Sequence, residues 1–280
     1  MCQQTSAIPD GTEFLFVDLQ LEYMGNSRRL ELDAAVAGRF PYKHIAPKPS
    51  SWQGSHRKTQ RDYFAAAGAR NTAFIHATTT HIACVDDLSI VVPCWLDQVK
   101  HAIDGDYIMC GAYRKVDNMV VDSGLMVSYG KAYHDSRWRI GSDSGVRECG
   151  GGLLYGCNFA LPLEAAVRVN GFDEMCDAGG GEDYDFGIRL SRAGYPMYYN
   201  RNALSIEAND LHNQPPVMVR RKKVCGNGED SDWWMLNRLN ADVGRFTTLA
   251  QWTNIEDMKC GVTPTLPHTD WPDGQPLCEM

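Results

Sequence analysis

Two short apolar runs, each ending in acid, constrain the fold of this chain more than any other feature. Phe14-Leu15-Phe16-Val17 runs into Asp18, and Ile82-Ala83-Cys84-Val85 runs into Asp86 and Asp87. An unalternating apolar run of this length suits a strand buried on both faces, and its terminal acid is then delivered to the end of a sheet. Between them lies a polar, Pro- and Ser-containing stretch from Ala46 to Gly54, followed by Gln60 to Ala77, whose Ala and aromatic content reads as helix. Strand, helix, strand is the alternation that builds a mostly parallel sheet.

The pattern continues beyond Asp87. Pro93-Cys94-Trp95-Leu96 opens a helix expected to run through Ile103, and Asp106 to Ala112 reads as the next strand. Val116 to Gly152 is aromatic and Gly-rich, which predicts irregular structure with room for one hairpin. Leu153 to Leu161 is apolar again, and Pro162-Leu163-Glu164 opens a helix through Val169. The run from Asp177 to Asp183 is a glycine loop ending in Glu182 and Asp183. A helix from Tyr184 to Ala193 follows, with Phe186 and Leu190 on one face and Gly194 as its stop. Pro196 to Tyr199 reads as a strand, Asp232 to Leu239 as a helix, and the end of the chain is Pro-rich.

With 280 residues, 44% of them hydrophobic, the chain has enough apolar material for a real core. Its net charge of −8 argues against broad attraction to nucleic acid or to an anionic membrane. Two basic stretches, His56-Arg57-Lys58 and Arg220-Arg221-Lys222-Lys223, read as solvated faces or as phosphate contacts. They keep a nucleic-acid acceptor open without favouring it. No basic-then-apolar leader stands at the N-terminus, and no apolar run reaches the ~18 residues of a membrane span. The cysteines are scattered without a CxxC pair, so reduced thiols in a cytoplasmic setting are expected, although the even count of 10 leaves a disulfide open.

Three acidic or imidazole groups fall at the ends of these elements, where ligands of open α/β sheets bind. Asp86 and Asp87 repel each other unless donors or a cation lie close. A hard divalent ion bridging diphosphate oxygens would relieve that repulsion, whereas the bland alternative is a turn after a strand. Glu182 and Asp183 at a helix start fit capping, yet the glycines before them allow backbone to approach a ligand. Asp185 and Arg189 are spaced as a supporting i,i+4 pair. His212, in Leu211-His212-Asn213-Gln214-Pro215-Pro216, says little alone.

Together these segments resemble the GT-A glycosyltransferases, in particular the inverting family 2 and the related galactosyltransferase C-terminal region. The resemblance runs from about residue 13 to about 216 and rests on pieces in the right order. These are Phe16-Val17-Asp18; Ala69-Arg70-Asn71; Val85-Asp86-Asp87 with Pro93-Cys94-Trp95-Leu96; Gly171-Phe172-Asp173-Glu174; and Gly180-Gly181-Glu182-Asp183-Tyr184-Asp185 with Arg189-Leu190. His212 to Pro216 looks like the metal-binding His segment of chondroitin-polymerase-type domains.

The resemblance implies an α/β, Rossmann-like GT-A fold: a mostly parallel central sheet flanked by helices, in a single domain with an irregular acceptor-side region. That domain would span 1–216, with a nucleotide-sugar half at about 13–112 and an acceptor half at about 150–216. Residues 217–280 would be a helical, Pro-rich extension packed on it. It also implies a metal-dependent inverting glycosyltransferase that takes a nucleotide-sugar donor, a UDP-sugar for choice, and a glycan or other hydroxyl acceptor. Asp18 would recognise the nucleoside, Arg70 would lie near the donor, and Asp86 would sit at the ribose side. Asp87 and His212 would hold Mn²⁺ or Mg²⁺, Asp183 would be the general base, and Glu182 would orient the acceptor or the base. The loop Tyr155-Gly156-Cys157-Asn158 is a candidate wall of the acceptor site.

The chain departs from the pattern twice. Leu88 stands where the family carries the last acid of its Asp-x-Asp motif, and Gln4-Thr5 to Pro9 looks like the end of the family's first helix, with the first strand expected to be absent, replaced by other segments or lost in a shortened version. These departures motivate a second reading, a non-catalytic carbohydrate-binding or assembly module, which would need neither the base nor the metal ligand. A third reading, a nucleotidyltransferase, requires a Gly-rich, basic phosphate loop near the N-terminus, and the sequence has none. Nothing in the sequence specifies an oligomeric state.

Overall fold

The computed structural model describes residues 8–21, 26–36, 40–48, 64–123, 125–140, 145–177 and 180–213, together with Ser50 and Gln53. The strands in chain order are β1 (Phe14–Val17), β2 (Tyr42–Ile45), β3 (His81–Val85), β4 (Ser89–Val91), β5 (Ile108–Val116), β6 (Val120–Asp122), β7 (Leu125–Ser128), β8 (Ala132–His134), β9 (Val146–Glu148), β10 (Asn158–Pro162) and β11 (Met197–Ala208). The helices are α1 (Asn26–Val36), α2 (Ala66–His76), α3 (Trp95–Asp104), α4 (Leu163–Arg168) and α5 (Glu182–Arg192). The α/β class read from the sequence is observed. The proposed extension 217–280, the helix at 232–239 and both basic stretches lie outside the described residues.

The described residues group into two compact units. The first comprises those within 8–12, 79–169 and 183–213, and the second those within 13–78 and 170–182.

The first unit is built on a seven-stranded sheet in the order β3-β10-β5-β11-β4, with β8 added beside β5 and β9 beside β11. Its pairing is mixed, which corrects the expectation of a mostly parallel sheet. β5 and β11 run parallel, while β10 is antiparallel to both β3 and β5, and β4 is antiparallel to β11. Parallel neighbours need a long crossover. Between β5 and β10 no α-helix intervenes among the described residues, and β10 returns antiparallel. The aromatic, Gly-rich stretch contains the expected hairpin, β6–β7, and also strands β8 and β9.

Helix α3 covers this sheet through Trp95, Val99 and Ala102, spaced to share one face, and they pack with Met109, Ala160 and Ala203. A large apolar side chain buried this completely contributes about 1.5–3 kcal/mol. The core is pinned by one amide. Asn158 Nδ2 donates to the carbonyls of Ala112 and Ala203, both at 2.7 Å, and its Oδ1 accepts from Trp95 Nε1 at 3.0 Å. Gly111 makes room, since a Cβ there would overlap the Asn158 amide.

Helix α5 buries Phe186 and Leu190 and ends at Gly194, which holds φ +89°. Asp185 and Arg189 form the expected pair at 2.8 Å. The glycines at 150–152 do more than interrupt the chain. A Cβ built on Gly151 would overlap the backbone of Gly187, and one on Gly152 would stand 2.7 Å from the Tyr184 ring, so this glycine stretch lies directly against α5.

The second unit holds the parallel pair β1–β2, with α2 packed on β1. The residue before α2 is Ala65, which has no side chain to cap it. The cap comes from far along the chain: the Asp177 carboxylate accepts the N–H groups of Ala67 at 2.6 Å and Gly68 at 3.0 Å. Burial, reinforced by Glu174 and Glu182, pushes the Asp177 carboxyl well above its ordinary range against the pull of those two donors. Asn71 closes the same assembly by donating to Phe172 O at 2.9 Å and Glu174 Oε1 at 2.8 Å, while its Oδ1 accepts Phe172 N–H at 2.8 Å. Lys48, buried, pairs with Glu174 at 2.7 Å.

Two outcomes follow for stability. Asp177→Ala is expected to cost about 1–2 kcal/mol, the scale of a lost helix cap. A raised folded pKa makes that contribution complete below the unfolded carboxyl value of about 4 and smaller as pH rises. Urea midpoints of both proteins across that range should therefore converge with rising pH; a constant or widening gap would contradict this. Gly151→Ala should cost about 1–3 kcal/mol through overpacking. Gly150→Ala, where a Cβ meets nothing within 4 Å, should stay within about 0.5 kcal/mol in the same denaturation assay.

Candidate active site

The backbone of Asp86 and the carboxylate of Asp183 are bonded to the same peptide in the first unit. β3 ends at Val85 beside Asn158 at the start of β10, and the Asp86 N–H donates to Cys157 O at 3.2 Å. One residue before Cys157, the Gly156 N–H donates to Asp183 Oδ2 at 3.1 Å. The peptide Gly156-Cys157 thus joins the Asp86-Asp87 turn on one side to the Asp183 carboxylate on the other. Asp183 Oδ1 also accepts its neighbour's N–H, from Tyr184, at 2.8 Å. One bond on each oxygen fixes the carboxylate while leaving lone pairs for another donor.

Asp87 is exposed, and its Oδ1 accepts the Leu88 N–H at 3.0 Å. Leu88, in the position of the missing acid, gives its carbonyl to Ala208 N–H at 2.9 Å and so anchors the turn on β11. No group of three or more His, Cys, Asp or Glu side chains that could hold a metal occurs among the described residues. An exposed carboxylate oxygen suits a hard cation held largely by diphosphate and water, the usual manner of Mg²⁺. His212 lies in the turn Asp210–Asn213, and its side chain is outside the described set. That turn is tied down by Asp210, whose carboxylate accepts the Asn118 N–H at 2.9 and 3.0 Å.

The loop proposed as an acceptor wall is reassigned in part. Asn158 spends its amide inside the core and Gly156 is buried, so the partly exposed members are Tyr155 and Cys157. Beneath it the sequence reading missed a buried ion pair. Arg137 Nε bonds both Asp135 oxygens, at 3.0 and 2.9 Å, and both residues are 2% exposed. The only sequence trace is an acid two residues before an arginine in an aromatic stretch.

The second unit holds Asp18, Arg70 and Glu182. Asp18 stands at the end of β1 as expected; its Oδ1 accepts the Gln20 N–H at 2.9 Å and its Oδ2 lies 3.0 Å from His44 Nε2. His44, on β2, was not singled out from the sequence. Arg70 Nη1 donates to Glu182 Oε1 at 2.8 Å, and its guanidinium lies 5.4 Å from the Phe172 ring. The Ala69-Arg70-Asn71 and Gly171-Phe172-Asp173-Glu174 pieces, 101 residues apart at Asn71 and Phe172, are thus bonded to each other.

The described cysteines Cys84, Cys94, Cys110, Cys149, Cys157 and Cys176 are free thiols, as expected. Among the described residues no helix is long and apolar enough to cross a membrane.

Parts of the chain are similar to known proteins. The family model for the N-terminal domain of galactosyltransferase matches residues 148–209. Validoxylamine A glucosyltransferase of Streptomyces hygroscopicus subsp. jinggangensis (strain 5008) is 45% identical over 51 residues, which is 18% of this chain and 12% of that enzyme. The enzyme of the same name from subsp. limoneus is also 45% identical over 51 residues, 11% of its length. The aligned stretch is therefore a small part of either relative. A crystal structure of GalNAc-T7 with UDP, GalNAc and Mn²⁺ superposes with a TM-score of 0.48 at 11% identity, covering 75% of this chain and 38% of that one. The segment that resembles the N-terminal domain of galactosyltransferase, residues 148–209, includes Gly156, Cys157 and Asp183.

Proposed function

We propose that the chain is a metal-dependent inverting glycosyltransferase that moves a sugar from a nucleoside-diphosphate sugar, a UDP-sugar for choice, to an acceptor hydroxyl. The observation that carries this reading is the shared attachment of Asp183 and the Asp86-Asp87 turn to the Gly156-Cys157 peptide. It supports a base and a diphosphate-side acid working in one place. The acceptor oxygen attacks the anomeric carbon, its proton passes to Asp183, and the bond from that carbon to the diphosphate oxygen breaks. A single displacement from the face opposite the leaving group inverts the centre.

Mn²⁺ or Mg²⁺, held by Asp87 and His212, would neutralise charge on the departing diphosphate. Asp86 is assigned to the ribose side of the donor. Asp18, oriented by His44, is assigned to the nucleoside. Arg70 is assigned to the donor side, and Glu182, which it holds, to orienting the acceptor or the base. The backbone bonds on both Asp183 oxygens support its role, because a base that is already oriented loses little freedom as the acceptor binds.

Release of nucleoside diphosphate from a panel of donors with Mn²⁺ tests the reading. Asp183→Asn should lower transfer by about 10²–10⁴-fold, the usual contribution of general acid–base catalysis, with metal-dependent nucleotide binding retained. Near-normal turnover would remove Asp183 as the base. Asp87→Ala and His212→Ala should each shift the Mn²⁺ titration to higher concentration, and an unchanged titration would strike that residue from the ligand set. Sugar binding without turnover on any donor would favour the non-catalytic module.

A further inference from the structure

The buried pair Asp135–Arg137 has no role in the chemistry proposed above, yet all three nitrogens of its guanidinium are hydrogen-bonded. Besides its bonds to Asp135, Arg137 Nη1 donates to Leu153 O at 2.6 Å and Nη2 to Gly111 O at 2.9 Å. Its guanidinium lies 3.8 Å from the Tyr155 ring centroid and 4.9 Å from that of Tyr199. Gly111 belongs to the central strand β5, whereas Leu153 and Tyr155 belong to the segment that leads into Gly156. Arg137 therefore clamps that segment to the sheet at two points, a carbonyl and a ring. The Asp135 carboxylate holds the guanidinium from behind and caps its own turn through the Arg137 N–H at 2.8 Å.

Tyr113 and Tyr199 border the pair. Burial pushes the Tyr113 hydroxyl up to about 12 and raises that of Tyr199 as well, so both stay neutral and the ion pair remains the charge here. Burying two charges is costly, and well-packed apolar residues often serve stability equally well. What apolar residues cannot supply is a planar fork that bonds a carboxylate and two carbonyls while stacking on an aromatic ring.

We propose that Arg137 is a positioning residue of the active site, holding Leu153 and Tyr155 so that the next peptide, Gly156, presents its N–H to the Asp183 carboxylate. It touches neither substrate nor metal and acts through Tyr155. The inference rests on the proposed role of Asp183 for its catalytic consequence, but the geometric part stands apart from it.

Three variants and two readouts test it. Tyr155→Leu removes the stacked ring and leaves the ion pair, whereas Tyr155→Phe keeps the ring. Asp135→Leu combined with Arg137→Met removes the two charges together, so neither is left buried without its counter-charge. Amide hydrogen exchange should accelerate at Gly156 by roughly tenfold or more in Tyr155→Leu and in the double variant, with Phe159 in β10 unchanged and Tyr155→Phe like wild type. Transfer kcat should fall roughly tenfold in the same two variants at unchanged donor KM. Unaltered exchange at Gly156 in both variants would overturn the inference whatever the activity. Accelerated exchange with normal kcat would overturn its catalytic half. Loss of the glycosyltransferase reading would show separately, as normal turnover in Asp183→Asn or none in wild type.

Discussion

One peptide, Gly156-Cys157, organises the first unit's chemistry. Its N–H fixes the Asp183 carboxylate and its carbonyl accepts the N–H of Asp86. Neither bond is strong alone, since a net hydrogen bond contributes about 0.5–1.5 kcal/mol. Their value is geometric: two acids contributed from opposite ends of the unit's sequence share one rigid reference. That reference is rigid because β10 begins immediately afterwards, with Asn158 locked into the carbonyls of Ala112 and Ala203. The glycines at 150–152 bring the preceding chain against α5, whose first turn carries Asp183.

The second unit repeats the logic with different residues. Asn71 there does for α2 and the Gly171-to-Glu174 segment what Asn158 does for the sheet, satisfying both its amide groups against buried backbone. Asp177 supplies the cap that Ala65 lacks. In each unit a buried polar side chain ties distant segments together. Such fully bonded polar groups specify one arrangement of their neighbours, which a core of apolar contacts alone does less sharply.

The sequence displayed some of this and concealed the rest for physical reasons. Local signals survived well: the acid-terminated strand β1, the helix α3, the amphipathic face of α5, the Asp185–Arg189 pair and the stop at Gly194 all depend on neighbours within a few residues. Strand direction did not show, because the run that becomes β10 looks the same whichever way it pairs. That run, Leu153 to Leu161, also hides a break, since Leu153 to Cys157 are held by Arg137 and by the turn beneath them and only Asn158 onward joins the sheet. Asp177, Arg137 and Gly151 each act on partners far along the chain, and no local pattern marks such residues. Asp183 was legible because a glycine run and a helix start flank it. Its partner at Gly156 was legible only as part of a loop.

The central claim, that the Asp87 turn and the Asp183 carboxylate share one site around a cation and a diphosphate, is open to a direct measurement. Mn²⁺ can be titrated into ¹⁵N-labelled protein with a saturating nucleoside diphosphate while paramagnetic broadening is followed residue by residue. The account predicts that the amides of Asp87, Leu88, Gly156 and Cys157 broaden together at substoichiometric metal. Broadening that spares Gly156 and Cys157 while another surface responds would contradict it.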